Sequence, residues 1–96
     1  MINYKLPEEK EFLLHYAELL NDKKSLDIIK SGSLANKEEA IHFAEFFWRT
    51  VSESNKQDEK QGESSEYILE KIIITLMAYF RSAGYEDEWE EVTDKN

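Results

Sequence analysis

Residues 66–84 read EYILEKIIITLMAYFRSAG, and this stretch decides the fold. Residues 71–75, of which all but Lys71 are β-branched, would suit a strand if they stood alone. Over the whole stretch, however, the large apolar residues recur at helical spacing and cover about 180° of a helical wheel. We therefore expect a buried helix of about five turns that the rest of the chain covers. This apolar face comprises Ile68, Leu69, Ile72, Ile73, Leu76, Met77, Tyr79 and Phe80.

The ends of this stretch also favour a helix. Ser64 or Ser65 can cap its start, and Gly84 follows its end at the position that needs a positive φ angle. Tyr85 can then fold back on Phe80, as often happens beside such a glycine cap. A narrow strip lies opposite the apolar face and consists of Lys71, Thr75, Ala78 and Ser82.

Three further helices are predicted before this one, over about residues 7–20, 23–31 and 37–53. Pro7 suits a first helical position, Gly32 a helix end, and Asn36 a helix cap. Leu14 falls outside the apolar face of its helix, where it either covers a neighbouring helix end or meets a partner. Phe46 lies at the border of its apolar stripe, so it either widens the stripe or is exposed. Residues 54–63, SNKQDEKQGE, have no large apolar side chain and predict a mobile loop.

Composition predicts one all-α domain over residues 1–96. Three glycines, one proline and no cysteine among 96 residues leave few tight turns and no disulfide. The expected fold is a small four-helix bundle around a central C-terminal helix, or a five-helix bundle if residues 85–92 are helical. Residues 93–96 are expected to fray. With no signal-peptide pattern and no apolar run of membrane-spanning length, we expect a cytoplasmic protein.

The charge is strongly negative and unevenly placed. The chain has 21 acidic and 12 basic residues, for a net charge of −9, and residues 85–96 contain six acidic residues against one lysine. Such a balance disfavours nucleic acid and anionic membranes as ligands and favours a basic protein partner, although acidity also serves solubility.

Two interpretations of the acidic C-terminal segment are open. Tyr85 and Trp89 lie four residues apart, so they can anchor a partner while the neighbouring carboxylates attract it. Alternatively, Tyr85, Trp89 and Val92 dock on the bundle and the acidic side chains face water. The candidate partner-binding residues are Glu86, Asp87, Glu88, Trp89, Glu90 and Glu91, with Glu38 and Glu45 as a second patch.

Catalytic and metal-binding patterns are weak. Glu39 and His42 match one Glu-x-x-His element of di-iron helical bundles, but the second element is absent, since His15 has Glu11 at four residues' distance. His42 lies opposite the apolar stripe, and we expect it to be solvated near Glu38 and Glu45. There is no phosphate-binding loop or calcium loop, and no nucleophile and base pair can be assembled. We therefore predict no enzyme activity, cofactor or metal site.

In size, helicity, acidity and lack of cysteine, the chain resembles the small acidic all-helical immunity proteins with which bacteria neutralise their own nuclease-type toxins. The nuclease-colicin group carries a Tyr-Tyr pair followed by proline. This chain has no Tyr-Tyr pair and its one proline is Pro7, so no functional residue is carried over. The resemblance implies an inhibitor that covers the positively charged surface of a nuclease-like partner. The alternative is a self-associating structural or regulatory module, such as a homodimer, formed through Leu14, Phe46 and the apolar face of residues 68–80.

Overall fold

The computed structural model describes the backbone of residues 1–61 and 64–95 and the side chains of residues 1–56 and 66–95. Within these ranges the chain forms five helices and no strand, so the predicted all-α bundle is confirmed in its five-helix form. The helices are α1 (Pro7–Leu19), α2 (Lys23–Ser31), α3 (Lys37–Gln61), α4 (Ser64–Ala83) and α5 (Glu86–Lys95).

The helix with the most neighbours is α3, which packs against all four others. The stretch that we predicted to be central, α4, packs against α1, α3 and α5 and leaves part of its apolar face uncovered. Ile74 and Met77 on α4 are 47% and 44% exposed, whereas Phe43 and Phe47 on α3 are fully buried. Phe46 is also fully buried and widens the α3 stripe, and Leu14 packs against the core. The central position therefore belongs to α3.

Local signals set several helix ends as expected. Gly32 and Gly84 adopt φ angles of 78° and 86°, in the left-handed region where glycine carries no steric cost. After Gly84, the backbone N–H of Tyr85 donates to the carbonyl of Phe80 at 2.7 Å, which ends α4 and turns the chain into α5. At the start of α3, Asn36 Oδ1 accepts from the backbone N–H of Glu39 at 2.9 Å, as the cap prediction requires.

The predicted loop over residues 54–63 is wrong for residues 54–61, because α3 continues to Gln61. Ser54 is 1% exposed and Lys56 lies 3.5 Å from Glu53, one turn earlier. Glu, Gln and Lys are good helix formers, so a polar run can extend a helix that is already nucleated. Residues 62 and 63 lie outside the described residues.

The end of α5 also differs from the sequence prediction. Residues 93–95, which we expected to fray, are helical, and Asn96 lies outside the described residues. Thr93 Oγ1 donates to the carbonyl of Trp89 at 2.8 Å, and Val92 is 2% exposed. Burial of Val92 holds the last turns of the helix in place.

A buried carboxylate joins the N-terminal helix to α4. Glu9 is fully buried, and its Oε2 accepts from the backbone N–H groups of Lys5 at 3.0 Å and Leu6 at 2.8 Å. Its Oε1 accepts from Thr75 Oγ1 at 2.6 Å. The sequence placed Thr75 on the strip opposite the apolar face of α4, yet this hydrogen bond buries it at 3% exposure.

None of the described helices is both long enough and apolar enough to cross a bilayer.

Candidate functional site

The candidate site is built on α5, and tertiary packing determines which way this helix faces. Trp89 is 5% exposed, with ring centroids 5.0 Å from Phe80, 5.6 Å from Phe47 and 6.1 Å from Trp48. It therefore fills a gap between α3 and α4. Trp89 is therefore docked on the bundle, as the second interpretation of the acidic segment predicts, and does not stand free of it.

Glu88 is the second predicted partner-binding residue that turns inward. It is 9% exposed, and one of its carboxylate oxygens lies 3.9 Å from Lys37 Nζ at the start of α3. Glu88 precedes Trp89 on the helical face that also includes Val92, so docking of that face removes it from solvent. Glu88 therefore faces the bundle beside Lys37 rather than solvent.

The other acidic residues of α5 point outward. Glu86, Glu90 and Asp94 recur every four residues and form one row, and Asp87 and Glu91 form a second row beside it. Asp87, Glu90, Glu91 and Asp94 are exposed, and Glu86 is half-buried. We call these five residues the acidic face of α5.

Two basic side chains lie close to this face. Arg81 Nε is 3.1 Å from Glu86 Oε2, and Lys95 Nζ is 3.8 Å from Glu91 Oε1. Exposed ion pairs such as these contribute about 0–1 kcal/mol each and do not hide the carboxylates. Among the described side chains, Asp87 and Glu90 have no ion-pair partner within 4 Å.

A groove lies along the junction of α4 and α5. Its floor consists of apolar and aromatic side chains, and its volume is about 270 Å³. The acidic residues of its lining are Glu86, Glu90 and Asp94, all from α5, and we call them the rim. The floor is formed by Trp48, Ile73, Met77, Phe80 and Trp89.

Sequence reasoning missed this groove, because it assigned Ile73, Met77 and Trp48 to buried stripes. Met77 is 44% exposed and Trp48 is half-buried, with its indole N–H buried and without an acceptor among the described residues. One signal was present in the sequence. The apolar face of residues 68–80 is wider than three neighbouring helices can cover, so part of it had to remain open.

The second predicted patch, Glu38 and Glu45, lies on α3. Glu38 and Glu45 are both exposed on α3, and neither has an ion-pair partner among the side chains that the structure describes. Glu45 lies one helical turn before Trp48 and so approaches the groove from α3. Glu38 follows Lys37, which reaches Glu88. The structure thus leaves both carboxylates available without joining them to the acidic face through a contact.

We expected His42 to be solvated near Glu38 and Glu45, but in the structure it contacts Asp22 instead. Its Nε2 lies 2.8 Å from Asp22 Oδ1 and 3.0 Å from Oδ2, across 20 residues of sequence. Asp22 also caps α2 by accepting from the backbone N–H of Ser25 at 3.1 Å. Burial raises the pKa of Asp22, but the hydrogen bonds from His42 and Ser25 outweigh it and leave the pKa below its usual value.

The Glu39 and His42 pair does not converge on one point. Glu39 Oε1 accepts from the backbone N–H of Ala35 at 2.9 Å, while His42 is engaged by Asp22. Among the described residues, no group of three or more potential metal-ligating side chains comes together. Both members of the sequence motif therefore have structural contacts.

Comparison with known proteins yields no match to a family model, to a curated protein or to a solved structure.

Proposed function

We propose that this chain is an acidic protein-binding module, an inhibitor or immunity-type protein that neutralises a basic, nuclease-like partner by covering its positively charged surface. One observation carries the proposal. Burial of Trp89, Val92 and Glu88 fixes α5 on the bundle, so the acidic face of α5 is displayed in a defined direction. A rigid row of carboxylates attracts a basic surface and loses little conformational entropy on binding.

The charge distribution supports the same proposal. Residues 85–96 carry a net charge of −5 within a chain of net charge −9. Clustered like charges raise the rate of encounter with a surface of opposite sign, and this effect is screened over about 8 Å at physiological ionic strength. A nucleic-acid-binding surface is basic by necessity, since it must meet phosphates. Such a surface is therefore a suitable target for this face.

The test uses charge reversal at exposed positions that have no ion pair within the described part of the molecule. The double variant Asp87→Lys/Glu90→Lys changes the charge by four units, and its fold is checked by circular dichroism. Partners are captured from a lysate with wild type and with the variant, and the association rate of each purified partner is measured against salt. We expect a basic partner whose association slows steeply with salt and which the variant fails to retain.

The reasoning is refuted if the captured partner associates at a rate that ignores added salt, or if the charge-reversed variant binds it as well as wild type does. Glu88→Lys is unsuitable for this purpose. Its carboxylate is buried beside Lys37, so reversal would destabilise the start of α5 and confuse folding with binding.

A second candidate function is self-association through α4. Tyr67, Ile74 and Met77 are 55%, 47% and 44% exposed and lie along one side of this helix, which is the apolar excess that such an interface needs. Analytical ultracentrifugation over a range of protein concentrations decides between the two. A strict monomer removes the support for self-association, and a dimer that Ile74→Gln dissociates favours it.

A further inference from the structure

The groove between α4 and α5 combines an apolar surface with negative charge, whereas the acidic face alone offers only charge. Its floor is aromatic and apolar, and its rim is acidic on the α5 side through Glu86, Glu90 and Asp94. Among the described residues that line it, Arg81 alone is basic, and its Nε already lies 3.1 Å from Glu86 Oε2. A ligand for this groove must therefore carry both an apolar group and positive charge.

The size of the groove restricts the apolar group. A volume of about 270 Å³ lies just below the range of roughly 300–1,000 Å³ that drug-sized ligands occupy. One bulky side chain, such as leucine or phenylalanine, fits such a space beside Met77 and the two tryptophans. Binding hot spots are typically single apolar or aromatic anchors that enter pockets of this kind.

The spacing along the rim restricts the charged groups. Glu86, Glu90 and Asp94 are successive members of a row spaced four residues apart, and each step rises about 6 Å along α5. Lysine or arginine residues four apart on a second helix have the same rise. A helix that lies beside α5 can therefore match the row of carboxylates, residue for residue, while its apolar side meets the floor.

We propose that this groove is the docking site for a basic amphipathic helix of another protein, with one bulky apolar side chain inserted against Met77, Trp48 and Trp89 and with lysine or arginine side chains on Glu90 and Asp94. This inference rests on the proposed function and names the part of the surface that recognises the partner. Charge argues against a second copy as the occupant. A copy of net charge −9 would bring further negative charge to an acidic rim.

The probe is a synthetic helical peptide of about 16 residues, long enough for a helix to persist. It carries one leucine flanked by lysines at four-residue spacing on an alanine-rich background. Two control peptides replace the leucine by alanine or distribute the same lysines around the helix. The chain contains two tryptophans, Trp48 and Trp89, and both line the groove, so intrinsic fluorescence reports occupancy directly. The peptide contains no tryptophan.

Two matched pairs of variants separate groove binding from general attraction. Glu90→Lys and Asp87→Lys make the same charge change on exposed residues of α5, but Glu90 lines the groove and Asp87 does not. Met77→Gln and Ile74→Gln remove apolar character from α4 residues of similar exposure, and Met77 alone lines the groove. Unchanged urea midpoints establish that each variant is folded.

We expect Glu90→Lys and Met77→Gln to weaken peptide binding about tenfold, and Asp87→Lys and Ile74→Gln by no more than about threefold, because only Glu90 and Met77 line the groove. Replacing the peptide's leucine by alanine should cost about the same as Met77→Gln. Binding of the control peptide with scattered lysines should be correspondingly weak.

Three outcomes would overturn the groove proposal, and each has a different consequence for the proposed function. Equal weakening by Glu90→Lys and Asp87→Lys, with no effect of Met77→Gln, retains charge-driven covering and rejects the groove. Absence of any binding at low salt rejects both. A tryptophan signal that changes with protein concentration alone, and a dimer that Met77→Gln abolishes, would assign the groove to a second copy and so reject the basic helix.

Discussion

The buried carboxylate of Glu9 can be tested by removing its acceptor oxygens while watching the stability of the bundle. Glu9 accepts three hydrogen bonds, from the backbone N–H groups of Lys5 and Leu6 and from Thr75 Oγ1, at 2.6–3.0 Å. It is fully buried, and Thr75 is 3% exposed. The two backbone donors lie just before the first residue of α1, and the hydroxyl belongs to α4. Truncation at Glu9 therefore affects a helix cap and an interhelical contact together.

The magnitude follows from the donors left behind. Glu9→Ala leaves the half-buried N–H of Leu6 without its acceptor, and this loss of the α1 cap costs about 1–3 kcal/mol. Lys5 is exposed, so its N–H can turn to water. Thr75 can bond to a carbonyl one turn earlier in α4. We expect a loss of about 2–3 kcal/mol in the free energy of unfolding.

Two further variants sharpen this prediction. In Glu9→Gln the amide oxygen can still accept from both backbone donors, while its NH₂ group donates to Thr75 Oγ1, so only the strengthening by charge is lost, at about 1 kcal/mol. Thr75→Val leaves Glu9 Oε1 buried without a donor, at about 2 kcal/mol. Because the two residues share one contact, the losses in Glu9→Ala and Thr75→Val should not add in the double variant.

The assay is urea unfolding at neutral pH followed by circular dichroism, with Glu8→Ala as the matched control. Glu8 lies in the same first turn of α1 and is exposed, so it shares the helix-dipole effect but not the buried contacts. We expect Glu8→Ala to change stability by less than about 0.5 kcal/mol. Equal midpoints for Glu9→Ala and Glu8→Ala would refute the reasoning, as would additive losses in the double variant.

Two other predictions concern titration. Burial raises the pKa of Tyr4 to about 12, and the charge of Glu9 adds to this effect. The stability that the protonated Tyr4 side chain provides is therefore full below the ordinary pKa of 10.0 and is lost as pH rises through about 12. Tyr4→Phe should flatten that alkaline loss in urea titrations and raise stability at neutral pH by about 1 kcal/mol, since the buried hydroxyl has no partner among the described residues. The lowered pKa of Asp22 gives stability that is present above 3.8 and lost as pH falls through the folded-state value. Asp22→Asn keeps a good helix cap but should reduce the fall in the free energy of unfolding at acid pH. His42→Ala should reduce this fall less, because Ser25 still donates to Asp22. An unchanged acid-side fall in Asp22→Asn would contradict the assignment.

Much of the secondary structure could be predicted from local signals, because the residues that end these helices act on their own backbone. Gly32 and Gly84 adopt the positive φ angles that their positions after a helix require, and the predicted bounds of α2 are those of the structure. The polar run after Glu53 predicts a loop because it has no large apolar residue, yet α3 continues through it to Gln61. Its Glu, Lys and Gln residues favour helix. Composition alone does not separate an exposed helix from a polar loop.

Tertiary contacts limited what could be predicted about the site. The contact between His42 and Asp22 spans 20 residues, and that between Thr75 and Glu9 spans 66, so no local pattern indicates either. The orientation of α5 was more accessible. Tyr85, Trp89 and Val92 recur at helical spacing and mark the inner face, and Glu88, next to Trp89, could have been placed at its edge. The groove depends on how far α5 sits from Met77, which only the packed structure shows.

The two properties of α5 depend on each other. Trp89 docks because the gap between Phe47 and Phe80 accepts an aromatic ring, and in doing so it also becomes part of the groove floor. The same docking directs Glu90 outward to the groove rim. An α5 that hung free would still carry its negative charge and could attract a basic surface, but it would have neither floor nor rim. Discrimination between basic partners must therefore come from the docked helix, whereas attraction to them requires only its carboxylates.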